Sequence, residues 1–272
     1  MATAIHDGVE IAYDVSGPPS AEPVLFVEGI GYGRWMWRWV RELLEPTYRT
    51  ICFDNRGTGD SDQPAGPYST SEMAGDLEAV LAAESIDRAH VVGSSLGGMI
   101  AQRYAIEYDR AGTLALCSTT HGGPDALSIP EATRAAMFAV PEGADERETI
   151  RHRMRPAVSP GFYETQPALV DRIVQWRLET DANEAARKAQ AAAGVSFDAS
   201  DELDAIERPV LVVHGTDDRV VPVENARLLA DGLPNATLEL IEGGPHLVIV
   251  ETPELVADSL HQFFADHPLE ET

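Results

Sequence analysis

The stretch Ala89-His90-Val91-Val92-Gly93-Ser94-Ser95-Leu96-Gly97-Gly98-Met99-Ile100-Ala101-Gln102-Arg103-Tyr104 decides the fold. Its first half is a short apolar run with β-branched residues, which reads as a strand. Its second half has helical spacing, with Leu96, Ile100 and Tyr104 on one face. Between them Gly93-Ser94-Ser95-Leu96-Gly97 makes a G-x-S-x-G turn. A serine packed onto so sharp a strand-to-helix turn forces the flanking backbone against its neighbours, and only residues without a Cβ fit there. Composition alone would produce the pattern in on the order of one chain in ten of this length. Its position between a strand and a helix is what selects Ser95 as a candidate nucleophile. The same helix start offers the Leu96 backbone N–H as a donor to a developing oxyanion.

Working outward, PVLFVEG (23–29), YRTICFD (48–54), TLALCST (113–119), PVLVVHG (209–215) and ATLELIEG (236–243) repeat the same signal. Continuous rather than alternating apolarity predicts strands covered on both faces. Segments at 35–44, 70–84, 96–108, 224–233 and 253–264 carry helical periodicity between them. Strand and helix alternate, so the expected class is α/β, a mostly parallel doubly wound sheet. An alternating stretch at 4–17, with His6-Asp7-Gly8 as its turn, predicts an edge hairpin. The alternation stops between His121 and about Asp201, where four amphipathic helical patterns follow one another without a strand. The expected organisation is a core of residues 1–121 and 201–272 with a helical cap inserted at 122–200.

Two more candidates lie in loops after strands. Asp218 follows PVLVVHG, in a turn where a short carboxylate is also common as a turn former. His246 stands in Gly243-Gly244-Pro245-His246, between the last strand and the last helix. Each alone has an ordinary structural explanation. Together with Ser95 they run in the order Ser, Asp, His, each beyond the carboxyl end of a different strand, where open α/β sheets build their sites.

With these residues the chain resembles the α/β-hydrolase superfamily, in particular its cap-bearing serine hydrolases: small carboxylesterases, enol-lactonases and cofactor-free perhydrolases. The resemblance spans nearly the whole length. It includes Asp54-Asn55-Arg56-Gly57-Thr58-Gly59-Asp60-Ser61, similar to the family's D-x-R-G-x-G-x-S segment, and Trp37 in the first helix. A G-x-x-D-x-x-x-P turn from Gly215 to Pro222 selects Asp218 over Asp217, and Glu251 and Pro253 also fit. The resemblance implies a catalytic triad of Ser95, Asp218 and His246, an oxyanion hole from the Ile30 and Leu96 backbone N–H groups, and an acyl-enzyme intermediate. The implied substrate is a small carboxylic ester or lactone. Enol-lactone, carbon–carbon bond and perhydrolysis chemistry on the same triad stay open, as does a ligand receptor that keeps the fold without turnover. A serine at the elbow argues against dehalogenation, since the resembling dehalogenases carry aspartate there.

One position departs from the pattern. The strand before the oxyanion loop ends in Glu28-Gly29, where the family usually has His-Gly. A carboxylate beside a developing oxyanion would oppose it. Glu28 therefore either braces the loop, pointing away or held protonated by burial, or gates the site with pH. For the pocket, Trp35 in the first helix and Phe138 and Trp176 in the cap are the substrate-binding candidates. Neighbouring Trp37 and Trp39, and Met137, Phe162 and Tyr163 of the cap, are weighed between pocket and core.

Composition bounds the rest. Acidic residues number 45 against 20 basic ones, a formal charge of −25, and Lys188 is the only lysine. Such a surface repels nucleic acid and anionic membranes. It suits a high-salt cytoplasm, although an arginine-favouring genome accounts for the lysine deficit as well. No zinc-spaced Cys/His cluster and no strand-linked G-x-G-x-x-G occurs, so neither metal nor cofactor is expected. No apolar run spans a bilayer, and MATAIHDGVE lacks the marks of a leader, so a cytoplasmic location is expected. Cys52 and Cys117, each within an apolar strand, read as reduced structural thiols. Oligomeric state has no signature here.

Overall fold

The structure is a computed structural model and describes residues 1–269. The last three residues of the expected core segment 201–272 therefore lie outside it. Eight strands form one sheet in the order β1-β2-β4-β3-β5-β6-β7-β8. They are β1 (Ala2–His6), β2 (Val9–Ser16), β3 (Pro23–Val27), β4 (Arg49–Phe53), β5 (Ala89–Ser94), β6 (Ala111–Cys117), β7 (Val210–Gly215) and β8 (Ala236–Ile241). The β1–β2 hairpin and its pairing to β4 are antiparallel, and every other pairing is parallel. Asp7 and Gly8, both at positive φ, close the hairpin.

Helices α1 (Arg38–Leu44), α2 (Thr70–Ala83) and α3 (Leu96–Glu107) follow within the first half of the chain. Five more lie between β6 and β7 with no strand among them: α4 (Glu131–Phe138), α5 (Glu146–Met154), α6 (Phe162–Thr165), α7 (Pro167–Thr180) and α8 (Glu184–Ser196). The chain ends with α9 (Glu224–Gly232), α10 (Val248–Glu251) and α11 (Pro253–Asp266). Among the described residues no helix is long and apolar enough to cross a membrane.

Two cores explain the continuous apolar strands. In β3, Leu25 and Val27 join a cluster with Met73 and Leu77 of α2 and Ile100 and Tyr104 of α3. Val24 and Phe26 point the other way, into a cluster with Val40 of α1 and Leu260 and Phe264 of α11. The period-2 alternation of a strand sends neighbouring side chains to opposite faces, so a sheet covered on both sides needs apolar residues at every position. β8 departs from that expectation. None of its residues is buried, because it is the margin of the sheet with no strand beyond it.

The first helix also begins later than its periodicity suggests. Arg34–Trp37 form a 3₁₀ turn before α1. The turn presses fully buried Trp37 onto Phe26, with ring centroids 5.0 Å apart.

The Asp54–Ser61 segment proves to be a brace. The Asp54 carboxylate accepts from the backbone N–H groups of Arg34 and Asp60 at 3.1 and 3.0 Å. Arg56, 4% exposed, pairs through Nε and Nη2 with the two oxygens of buried Asp76 at 2.7 and 2.8 Å. Bidentate pairing of this kind fixes geometry as well as charge. Cys52 and Cys117 are free and buried, and burial pushes the Cys117 thiol up to about 12.

Candidate active site

Ser95 sits at φ +55°, ψ −117°, between β5 and α3. A non-glycine residue at positive φ is uncommon, and it holds this conformation only where its surroundings impose it. Here the Ser95 N–H donates to Cys117 O at 2.9 Å, and its carbonyl accepts from Thr119 Oγ1 at 2.7 Å. The flanking glycines are required by contact. A Cβ on Gly97 would stand 2.1 Å from Val27 O, and one on Gly93 would stand 2.2 Å from Gly97 O.

Asp218 follows β7 and is 8% exposed. Its Oδ1 accepts from the N–H groups of Val220 and Val221 at 2.7 and 2.9 Å. Its Oδ2 faces His246 Nδ1 at 2.7 Å and His214 Nε2 at 3.2 Å. Burial alone would raise its pKa, but the adjacent His246 and His214 outweigh burial and hold the carboxyl well below the usual range. His214 is a residue that sequence reasoning missed. It is the last side chain of β7 before Gly215, fully buried, with Nε2 also 3.0 Å from Val221 O. Two oxygens around Nε2 assign the proton to that nitrogen. The sequence signal was present, a histidine four residues before the acid, but it reads equally as a strand residue.

His246 follows β8 and lines, with Ser95, a cavity of about 720 Å³. Among the described residues no hydrogen bond joins Ser95 Oγ to His246, while the His246–Asp218 link is formed. Catalytic hydrogen bonds often close only when substrate binds. Ile30 and Leu96 line the same cavity. Among the described residues neither backbone N–H is used by a protein acceptor; Leu96 opens α3, whose first N–H groups have no partner within the helix.

The loop carrying Ile30 is held on three sides. Asn55 Nδ2 donates to Glu28 O at 3.1 Å, the Gly31 N–H donates to Gln190 Oε1 at 2.7 Å, and the Ala182 N–H donates to Gly31 O at 3.0 Å. Gln190, buried in α8, also donates to Arg56 O and Thr58 Oγ1, both at 2.9 Å. The Glu28 side chain is fully buried and neither carboxyl oxygen has a hydrogen-bond partner. Burial, then the nearby Asp54 carboxylate, raises its pKa well above the ordinary value.

The structure separates the other pocket candidates. Phe138 lines the cavity beside Met137. Trp35 and Trp176 do not; they stack on each other with centroids 5.8 Å apart, and Trp39 closes the cluster edge-on at 5.8 Å. Trp35 Nε1 donates to Asp181 Oδ1 at 3.2 Å, which turns the ring toward α7 and away from the cavity. Phe162, Tyr163 and Trp37 likewise belong to the core cluster. Sequence reading passed over four arginines on the cavity wall, Arg134, Arg153, Arg177 and Arg187, which only the folding of the cap brings together. Among the described residues no group of three or more His, Cys, Asp or Glu is arranged to hold a metal ion.

Comparison with known proteins places the fold in a family. The alpha/beta hydrolase fold family matches residues 22–253. The provisionally named carbamate hydrolase RutD of Variovorax paradoxus is 32% identical over 270 residues, covering 93% of this chain and 95% of that protein. The 3-oxoadipate enol-lactonase 2 of Acinetobacter baylyi is 28% identical over 250 residues, covering 90% of each. Among solved structures, a hydrolase from Pseudomonas aeruginosa PA01 superposes with a TM-score of 0.84 at 28% identity, covering 97% of each chain.

Proposed function

Since the chain belongs to the alpha/beta hydrolase fold family and is a hydrolase acting on ester bonds, we propose that it cleaves a small carboxylic ester or lactone through Ser95, His246 and Asp218. The observation that carries this reading is a strained Ser95 at positive φ sharing one cavity with a histidine whose other ring nitrogen is bound to a buried, ionised aspartate at 2.7 Å. In the cycle, Ser95 Oγ attacks the carbonyl carbon while His246 Nε2 takes its proton. Asp218 holds the imidazole tautomer and stabilises its charged form. The oxyanion rests on the Ile30 and Leu96 N–H groups. His246 then protonates the leaving alcohol; in the second half it takes a proton from the water that attacks the acyl carbon and returns it to Ser95 Oγ as the acyl–oxygen bond to the serine breaks. Residues 122–200 act as a cap, contributing Phe138 to the apolar roof of the site. These steps use only side chains and backbone groups of the chain itself.

The test is steady-state hydrolysis of a 4-nitrophenyl ester panel. Wild type is expected to turn over short esters, and Ser95→Ala to lose at least about 10³-fold in kcat. Comparable rates for the two proteins would remove Ser95 from the chemistry. Negligible turnover by wild type together with marked thermal stabilisation by a bound ester would point to a receptor instead.

A further inference from the structure

In a chain with 45 acidic and 20 basic residues, the balance reverses at the cavity, where Arg134, Arg153, Arg177 and Arg187 face a single acid, Glu131. The charges near the oxyanion loop are incompletely matched. Asp181 is the one carboxylate shared by Arg177 and Arg187: its Oδ2 lies 2.6 Å from Arg177 Nε but 3.8 Å from Arg187 Nη2. Its other oxygen is taken by Trp35. Arg153 spends its donors on the carbonyls of Ala139 and Phe138, at 3.0 and 3.3 Å, which bind it without neutralising it. The Arg187 guanidinium makes no hydrogen bond within the described residues, and the side chain is only 20% exposed. Burial, followed by the repulsion of Arg177, weakens its hold on its proton. Removing a guanidinium from water without a full counter-charge is costly, and a second anion beside it would relieve that cost.

Its location gives the anion a role. A Cβ on Gly31 would stand 3.1 Å from Arg187 Nε and 3.3 Å from Nη2, so the guanidinium lies against the residue that follows Ile30. We propose that the substrate is an ester or lactone bearing its own carboxylate, and that Arg187, with Arg153 alongside, receives that carboxylate within the cavity. The inference rests on the esterase reading above. A guanidinium fork matches a carboxylate bidentately, and a ligand anion drawn into a protein of charge −25 needs such a local cationic wall.

Two matched substrate pairs test it at 0.15 M KCl. Mono-4-nitrophenyl glutarate against 4-nitrophenyl valerate places the carboxylate on the acyl side. The pair 4-(butanoyloxy)benzoate and 4-(butanoyloxy)benzamide places it on the leaving group. In at least one pair wild type is expected to favour the anion by about tenfold or more in kcat/KM. Arg187→Met is expected to lower that ratio at least about tenfold, and Arg187→Lys to retain part of it. A ratio near one in both pairs, or one that Arg187→Met leaves in place, overturns the proposal. Ligand binding is read separately, as a thermal shift with glutarate that is expected in wild type and lost in Arg187→Met. If no ester turns over at all, the esterase reading fails, while the glutarate shift still decides whether the cavity takes a carboxylate.

Discussion

Glu28 carries the sharpest consequence of a single side chain. Its folded-state pKa is raised by burial and by Asp54, so the folded protein holds a proton that the unfolded chain releases near pH 4.3. Its contribution to stability is therefore fully present below that pH and falls as pH rises toward the folded pKa, by about 1.4 kcal/mol per pH unit within the window. Glu28→Gln keeps the shape and removes the ionisation. Its melting temperature relative to wild type is expected to climb between pH 5 and 8; parallel curves would contradict the buried neutral carboxyl. A kcat profile unchanged in the variant fits a residue that braces the oxyanion loop, whereas a displaced profile fits a gate. The presence of an acid beside this loop was legible in the chain. Its orientation was not, because β3 must first be placed for the alternation that carries Phe26 to the α1 face to carry Glu28 there too. Ser95, Asp218 and His246 were legible for the opposite reason: each is marked by its own local turn. His214 and Arg187 carry no such mark, since only packing brings one beneath Asp218 and the other against Gly31.

The elbow between β5 and α3 and the helix α8 make opposite predictions for the same substitution. At Gly97 a new methyl would meet the Val27 carbonyl at 2.1 Å, backbone that cannot yield. Gly97→Ala is expected to destabilise by about 3 kcal/mol or more, at the upper end of overpacking costs. At Gly194, inside α8, the nearest atom to a new Cβ is Leu96 Cδ1 at 3.5 Å, so Gly194→Ala is expected to add about 0.5–1 kcal/mol through helix propensity. Urea midpoints measure both, and equal signs would contradict the close approach at the elbow. The alternation of strands and helices could be read along the chain because each strand is apolar on two faces. The 3₁₀ turn at Arg34–Trp37, the short α6 and α10 and the only partial burial of β8 could not, since all four depend on what lies across the sheet.

The whole molecule combines a charge of −25 with clusters in which one arginine serves several acids. Arg34 alone contacts Asp14, Asp54 and Asp60 at 3.1, 3.0 and 2.9 Å. Paired acids offset part of the repulsion, but the excess is screened only by ions, whose Debye length shrinks from about 10 Å at 0.1 M salt to about 3 Å at 1 M. The melting temperature is expected to rise across that KCl range, and a steady fall would contradict self-repulsion as the dominant surface term. Composition made this readable at once, whereas the reversed charge inside the cavity emerges only when α4, α5, α7 and α8 are folded over the sheet. The same long-range folding brings the ends of β5, β7 and β8 together, and with them Ser95, Asp218 and His246. Its most direct test is labelling with a fluorophosphonate followed by peptide mass mapping, in wild type and in His246→Ala. One adduct per chain is expected, on Ser95, formed at least about 10³-fold more slowly without His246. An adduct on another serine, or equal rates in the two proteins, would contradict it.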